Sequence, residues 1–210
     1  MTAFKKIEEN LRKEAKSLLE SGKVTLVLAY AEGFDEKHPV PYAARTASEA
    51  DRLVFNEYCT HNMARYLTRY PKGTKIAVAV KGADSRAVVQ LIQEEKVRRD
   101  DLVILGIPAT DMRNQKTGEV IDTRTIGGTI NPVIHDVLLG EEIHGVKPES
   151  PYDVLQELEG MDQDARWAFW KQEFERCIRC YACRKACPMC YCDPCFMDMS
   201  RPRWADKSPT

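Results

Sequence analysis

The chain carries almost no net charge: 31 lysines and arginines face 32 aspartates and glutamates, leaving −1 at neutral pH. That balance excludes bulk electrostatic attraction to nucleic acid or to an anionic membrane. No apolar run approaches the roughly 20 residues that span a bilayer, so no membrane span is expected. No secretion signal is expected either, because residues 1–9, MTAFKKIEE, are charged and amphipathic. There is no P-loop, no dinucleotide-binding glycine fingerprint and no convincing nucleophile–base pair for hydrolysis. A cytoplasmic protein is the expectation. Its 210 residues and 43% hydrophobic share suit one sizeable core with a small appendage.

What is present in excess is cysteine, and it is concentrated. Seven of the eight cysteines lie within nineteen positions: Cys177, Cys180, Cys183, Cys187, Cys190, Cys192 and Cys195. The first four follow the C-x2-C-x2-C-x3-C-P spacing that holds 4Fe-4S clusters through thiolates. Three thiolates two residues apart, on a loop that curls round a cube, can each meet a different iron. Pro188 then turns the chain away while Cys187 faces another direction. A disulfide framework suits a small secreted domain, not a long charged chain without a signal. Zinc is the stronger rival, but zinc sites pair two knuckles across a longer loop, and three cysteines in strict succession crowd a tetrahedron.

The number of clusters stays open. Where two clusters are present, the cysteine before the proline ligates the other one. Cys187 then joins Cys190, Cys192 and Cys195, and the first cluster takes a fourth ligand from Cys59 or a non-cysteine atom. A single cluster on Cys177, Cys180, Cys183 and one later cysteine is the economical alternative. An oxygen-sensitive cluster also points to an anaerobe or a protected complex.

The remainder reads as an α/β core. Residues 3–21 place Phe4, Ile7, Leu11, Ala15, Leu18 and Leu19 on one face of a helix ending at Gly22. Residues 24–31 are a buried strand and 33–41 a loop in which His38 has no assigned role. Segments 47–53 and 59–67 look helical, and Cys59 among Met63, Ala64 and Leu67 reads as a small core residue beside His61. Residues 75–80 form a strand, 81–86 a turn, 87–95 a helix and 102–108 a second strand, a parallel pair with a crossover. In such sheets ligands sit at the carboxyl ends of strands, near helix N-termini. That marks Lys81, Gly82, Ala83, Asp84, Ser85 and Arg86 as a candidate anion- or cofactor-binding turn, with Ala109, Thr110, Asp111 and Arg113 at the neighbouring one. The plainer alternative is that Asp84 or Ser85 only caps the next helix.

Residues 114–131 make a long polar excursion with Gly127-Gly128 before Thr129. Residues 133–139 are a short apolar stretch, and His135 and His144 lack metal-ligand spacing. Composition changes at Ser150-Pro151, where helices over 151–159 and 163–176 begin. The second carries Trp167, Phe169, Trp170 and Phe174, which are expected to pack against the core, and it runs into Cys177. The expected divisions are a core over 1–149, an iron–sulfur domain over 150–200 and a tail over 201–210.

Over residues 20–204 the chain resembles the coenzyme F-420 hydrogenase/dehydrogenase beta-subunit family. It looks most like the stand-alone iron–sulfur proteins that accompany heterodisulfide-reductase-like complexes. The resemblance rests on 80–86 (VKGADSR), 105–108 (LGIP), 131–136 (NPVIHD) and, most specifically, 176–192 (RCIRCYACRKACPMCYC). It implies a cytoplasmic subunit that relays electrons. Larger members bind FAD and act on a deazaflavin, which would place FAD at the Lys81–Arg86 edge. Relatives carry cysteine where Ala83 and Ala109 stand and near residues 127–129, so a further metal centre in this core is not expected.

The expected function is an electron-transfer subunit of a hydrogenase-, formate-dehydrogenase- or heterodisulfide-reductase-like complex, with other subunits as partners. Arg176, Arg179, Arg184 and Lys185 surround the thiolates with positive charge. They would steer an acidic partner and raise a cluster's potential. The rivals are an adaptor whose core has lost its cofactor, and a structural zinc module.

Overall fold

The computed structural model describes residues 3–121, 130–145, 153–178 and 180–195. Residues 127–129, the Ser150-Pro151 boundary, Arg179 and the 201–210 tail lie outside the described residues.

Helix α1 (Ala3–Glu20) buries Ile7, Leu11, Ala15 and Leu18, a repeat of three or four residues that gives one apolar face. Gly22 then takes a φ of +67°, a left-handed conformation that costs glycine little. Strand β1 (Leu26–Ala31) is buried at every position. It pairs antiparallel with β2 (Val40–Ala44), so the expected loop over 33–41 already enters a strand at Val40.

The expected helix over 47–53 is shorter. Helix α2 (Ala47–Ala50), capped by Thr46, gives way to β3 (Leu53–Val54), which pairs with Tyr30 and Ala31 of β1. Leu53 is fully buried, and sheet pairing wins over helix continuation there. The segment expected as a helix over 59–67 is a 3-10 helix, Met63–Arg69, capped by the Asn62 side chain.

Strand β4 (Ile76–Val80) lies parallel to β1, and β5 (Leu102–Gly106) lies parallel to β4 in the register Ile76↔Leu102 to Val80↔Gly106. Both are buried throughout, as strands covered on both faces must be. Helix α3 (Gly82–Gln93) connects them, starting five residues before the expected position. The supposed turn over 81–86 is therefore the N-cap and first turn of this helix. Gly82, Ala83, Asp84 and Ser85 gave no apolar period, but an acidic N3 residue after an extended Lys81 is a sound helix start.

Strands β6 (Met112–Arg113) and β7 (Val120–Ile121) form a separate small hairpin. Strand β8 (Val137–Leu138) completes the main sheet in the order β2-β1-β4-β5-β8. The sheet is mixed and flanked by helices, the expected α/β class.

The 131–136 motif fastens that last strand. Asp136 Oδ2 accepts from the Ile104 amide at 2.7 Å, and Asn131 bonds both the amide and the carbonyl of Ile143 at 3.0 Å. A Cβ on Gly106 would stand 2.8 Å from the His135 Cβ, so the strap can lie on β5 only where glycine ends it. The C-terminal part holds α4 (Asp153–Gly160), α5 (Gln163–Glu175) and α6 (Ala182–Ala186).

Candidate metal centre

Asp162 opens α5 by accepting from the Ala165 amide at 2.8 Å. The helix stops at Arg176, and the Cys177 amide bonds back to the Phe174 carbonyl at 3.0 Å. The aromatics of α5 correct the expectation of core packing. Trp167 is 67% exposed, Phe174 66% and Trp170 41%. Trp170 stacks on Phe174, four residues on, with ring centroids 5.9 Å apart, and meets Phe169 edge-on at 5.3 Å. No residue of α5 is buried.

Beyond Cys180 the chain turns at Tyr181, whose φ of +59° reverses its direction into α6. Cys183 and Cys187 stand four apart, joined through the Cys187 amide and the Cys183 carbonyl at 3.1 Å. The Cys190 amide follows onto the Cys187 carbonyl at 3.2 Å. The Cys190 thiol is raised above its usual range, first by desolvation and then by the Cys187 thiol that hydrogen-bonds to it. All eight cysteines are unbridged, and the seven clustered ones are exposed or half-buried.

The structure therefore brings Cys187 and Cys190 together. Among the described residues no three or more Cys, His, Asp or Glu side chains stand close enough to hold a metal ion. The donor chemistry suits a thiolate-bound metal: many soft ligands at short spacing, accessible and held on short turns.

Sequence reasoning missed how this segment meets the core. Arg65, in the 3-10 helix, donates from Nε to the Lys185 carbonyl and from Nη1 to the Cys190 carbonyl, the latter at 3.1 Å. The Tyr191 hydroxyl donates to Glu94, and the Lys96 ammonium lies 4.6 Å from the Tyr191 ring centroid. That bond to Glu94 pushes the Tyr191 phenol up to about 12. Met189 and Tyr191 also pack against the buried core. Partners 97 to 125 positions apart leave no local signal in a sequence.

At the carboxyl edge of the sheet, Lys81 is 13% exposed and its ammonium donates to the Tyr30 hydroxyl, the His61 carbonyl at 2.9 Å and Asp84 Oδ2 at 2.7 Å. An ammonium has three donors, and all three are used. The hydroxyl of Tyr30, which is fully buried, donates a hydrogen bond to the His61 carbonyl. Asp84 also accepts from the Lys81 amide at 3.3 Å, the helix cap that was the plainer reading. The Ser85 hydroxyl donates to the Gly82 carbonyl at 2.6 Å and accepts from the Val133 amide at 2.9 Å. Gly82 is buried and Arg86 exposed. Lys81, Asp84 and Ser85 thus spend these side-chain groups on bonds within the chain.

Cys59 has no exposed surface, and its thiol bonds to Asn56 at 3.6 Å. Burial pushes that thiol up to about 12, against which Asn56 and Lys81 act only weakly. His61 is lowered by burial first and by Lys81 second. A cleft of about 690 Å³ runs elsewhere, between α1 and residues 54–58, with Glu8, Arg12, Asn56, Tyr58 and Arg113 on its walls.

No family model matches the chain. Among curated proteins it is 20% identical over 277 aligned positions to the F420-dependent formate dehydrogenase 1 subunit beta of Methanococcus maripaludis, covering 87% of this chain and 72% of that one. The alignment is longer than the 210 residues here, so the relative holds stretches this chain lacks. A second, short match is 48% identical over 29 residues to the F420-dependent formate dehydrogenase subunit beta of Methanocaldococcus jannaschii, 14% of this chain and 8% of that one.

Proposed function

We propose that this chain belongs to the coenzyme F-420 hydrogenase/dehydrogenase beta-subunit family, being similar to formate dehydrogenase beta subunits, and is an iron–sulfur electron-transfer subunit of a cytoplasmic oxidoreductase complex. The observation that carries the reading is the run of seven unbridged cysteines over nineteen positions, seated against an α/β core. The thiolates of Cys177, Cys180, Cys183, Cys187, Cys190, Cys192 and Cys195 are the groups that would hold one or two clusters. When bound, a 4Fe-4S cluster takes up and releases one electron at a time. The chain's own contribution is to place those thiolates, surround them with charge and present them to a partner subunit. Arg176, Arg184 and Lys185 supply the charge, and the short turns at Tyr181 and Cys187 direct the thiolates. Among the described residues no helix is long and apolar enough to cross a membrane.

A second reading is favoured by one specific observation. Lys81 has spent its donors on Tyr30, His61 and Asp84, so the core edge serves the fold and the chain would act in part as an adaptor. Both readings keep the cluster and differ in whether flavin is present.

The test is anaerobic purification followed by iron, sulfide, zinc and flavin analysis. About four irons per chain means one cluster and about eight means two. Bound flavin would overturn the adaptor reading of the edge. A colourless protein with stoichiometric zinc would overturn electron transfer and leave a structural zinc module.

A further inference from the structure

The 3-10 helix Met63–Arg69 and the residues just before it touch two separate parts of the molecule. Ahead of it, the His61 carbonyl is held by Tyr30 and Lys81 at the carboxyl edge of the sheet. Within it, Arg65 reaches the cysteine segment, bonding the carbonyls of Lys185 and Cys190. Those two carbonyls bracket Cys187 and the turn that leads to Cys190. One short piece of backbone, residues 61–65, therefore ties the sheet edge to the loop that carries the paired thiols.

We infer that Arg65 is a positioning residue for the cysteine segment. Its guanidinium fixes residues 185–190 on the core and keeps a permanent positive charge beside Cys187 and Cys190. The docking half stands on the geometry alone; the electrostatic half rests on the iron–sulfur reading above. Arginine suits both tasks. Its planar fork has donors at fixed angles that reach two carbonyls at once, and it stays charged at any working pH. Lysine keeps the charge but is a single point donor that cannot span both carbonyls in one geometry. The Tyr191 contacts with Glu94 and Lys96 close the same interface from the α3 side.

The test compares the full chain, prepared anaerobically, as wild type, Arg65→Lys, Arg65→Met and Tyr191→Phe. Hydrogen exchange of the amides over 183–191 is measured, together with the midpoint potential of any cluster. Loss of the fork should speed exchange over 183–191 on the order of tenfold in both Arg65 variants, while β4 and β5 stay protected. Arg65→Met should also lower the midpoint potential, and Arg65→Lys should leave it near the wild-type value, because only the first removes charge. Exchange at the wild-type rate in Arg65→Met overturns the docking, and an unchanged midpoint in Arg65→Met overturns the electrostatic half. Tyr191→Phe removes one hydroxyl at the far side of the interface. It should speed exchange of the same amides without loosening β4, and Arg65→Lys, which keeps the charge but loses the fork, decides the docking even if Arg65→Met does not fold. If the wild type holds no iron, the electron-transfer reading fails, and exchange still decides whether Arg65 docks the segment.

Discussion

Replacing Lys81 with methionine should unfold the protein at markedly lower temperature. The substitution keeps the length of the side chain and removes its ammonium. Asp84, 4% exposed, then loses its cation and keeps only the 3.3 Å bond from the residue 81 amide. The His61 carbonyl loses one of its two donors, and the Tyr30 hydroxyl oxygen no longer accepts a hydrogen bond from the ammonium. Breaking a buried pair by removing one partner costs about 3–5 kcal/mol, because the remaining charge is stranded. For a chain of this size that corresponds to a fall of about 6–20 °C in Tm. The double variant Lys81→Met/Asp84→Asn strands no carboxylate and should recover part of the loss. Both are read from thermal melts followed by circular dichroism, with flavin content measured on the same samples. A Lys81→Met protein that melts with the wild type would refute the reasoning, and the ammonium would then be available to a ligand.

Three further outcomes follow from the same structure. Cys59 should resist iodoacetamide in the folded protein, where burial holds its thiol near 12, and should react once urea exposes it; native-rate labelling seen by mass spectrometry would contradict its burial. Asp136 is held below the usual carboxylate range: burial pushes it up, but the Arg99 guanidinium and the Ile104 amide outweigh that. A depressed carboxylate contributes its full stability above its unfolded value of about 3.9 and loses it as pH falls through the lower folded value. The stability gap between wild type and Asp136→Asn, from urea melts, should therefore be widest near neutrality and shrink as pH falls below the unfolded value of about 3.9; a gap that is constant with pH would refute this. Gly106→Ala should destabilise by roughly 1–3 kcal/mol in urea melts, because the new methyl meets His135, and an unchanged midpoint would show that the strap yields freely.

The parts of the fold that were legible in the sequence are those where a single local pattern decides. The continuous apolar runs of β1, β4 and β5 have no alternative to a strand buried on both faces, and α1 shows its period directly. Residues 47–53 and 59–67 were harder. They are short and carry few apolar residues, and long-range pairing of Leu53 with Ala31 and the tight Asn62 cap settle them instead. The aromatics of α5 misled for a related reason. Large rings imply burial only if another element covers them, and sequence spacing shows a face without showing its neighbour.

The site divides in the same way. Seven cysteines at ligand spacing mark the segment as a candidate for thiolate chemistry from the sequence alone. Lys81, Asp84 and Ser85 looked like a ligand-binding turn because their types suit one, while the groups that occupy them come from Tyr30, His61 and Val133. Arg65 had no sequence signature, since its acceptors are backbone carbonyls far along the chain.

The central claim is that the 177–195 segment carries a redox-active iron–sulfur centre. Electron paramagnetic resonance of the anaerobically purified chain, before and after dithionite, tests it most directly. The account predicts that reduction brings up the signal of a half-spin cluster and bleaches a broad band near about 400 nm. It also predicts that the signal is lost when Cys177, Cys180 and Cys183 are changed to serine. A protein that stays silent and colourless while holding zinc would contradict it.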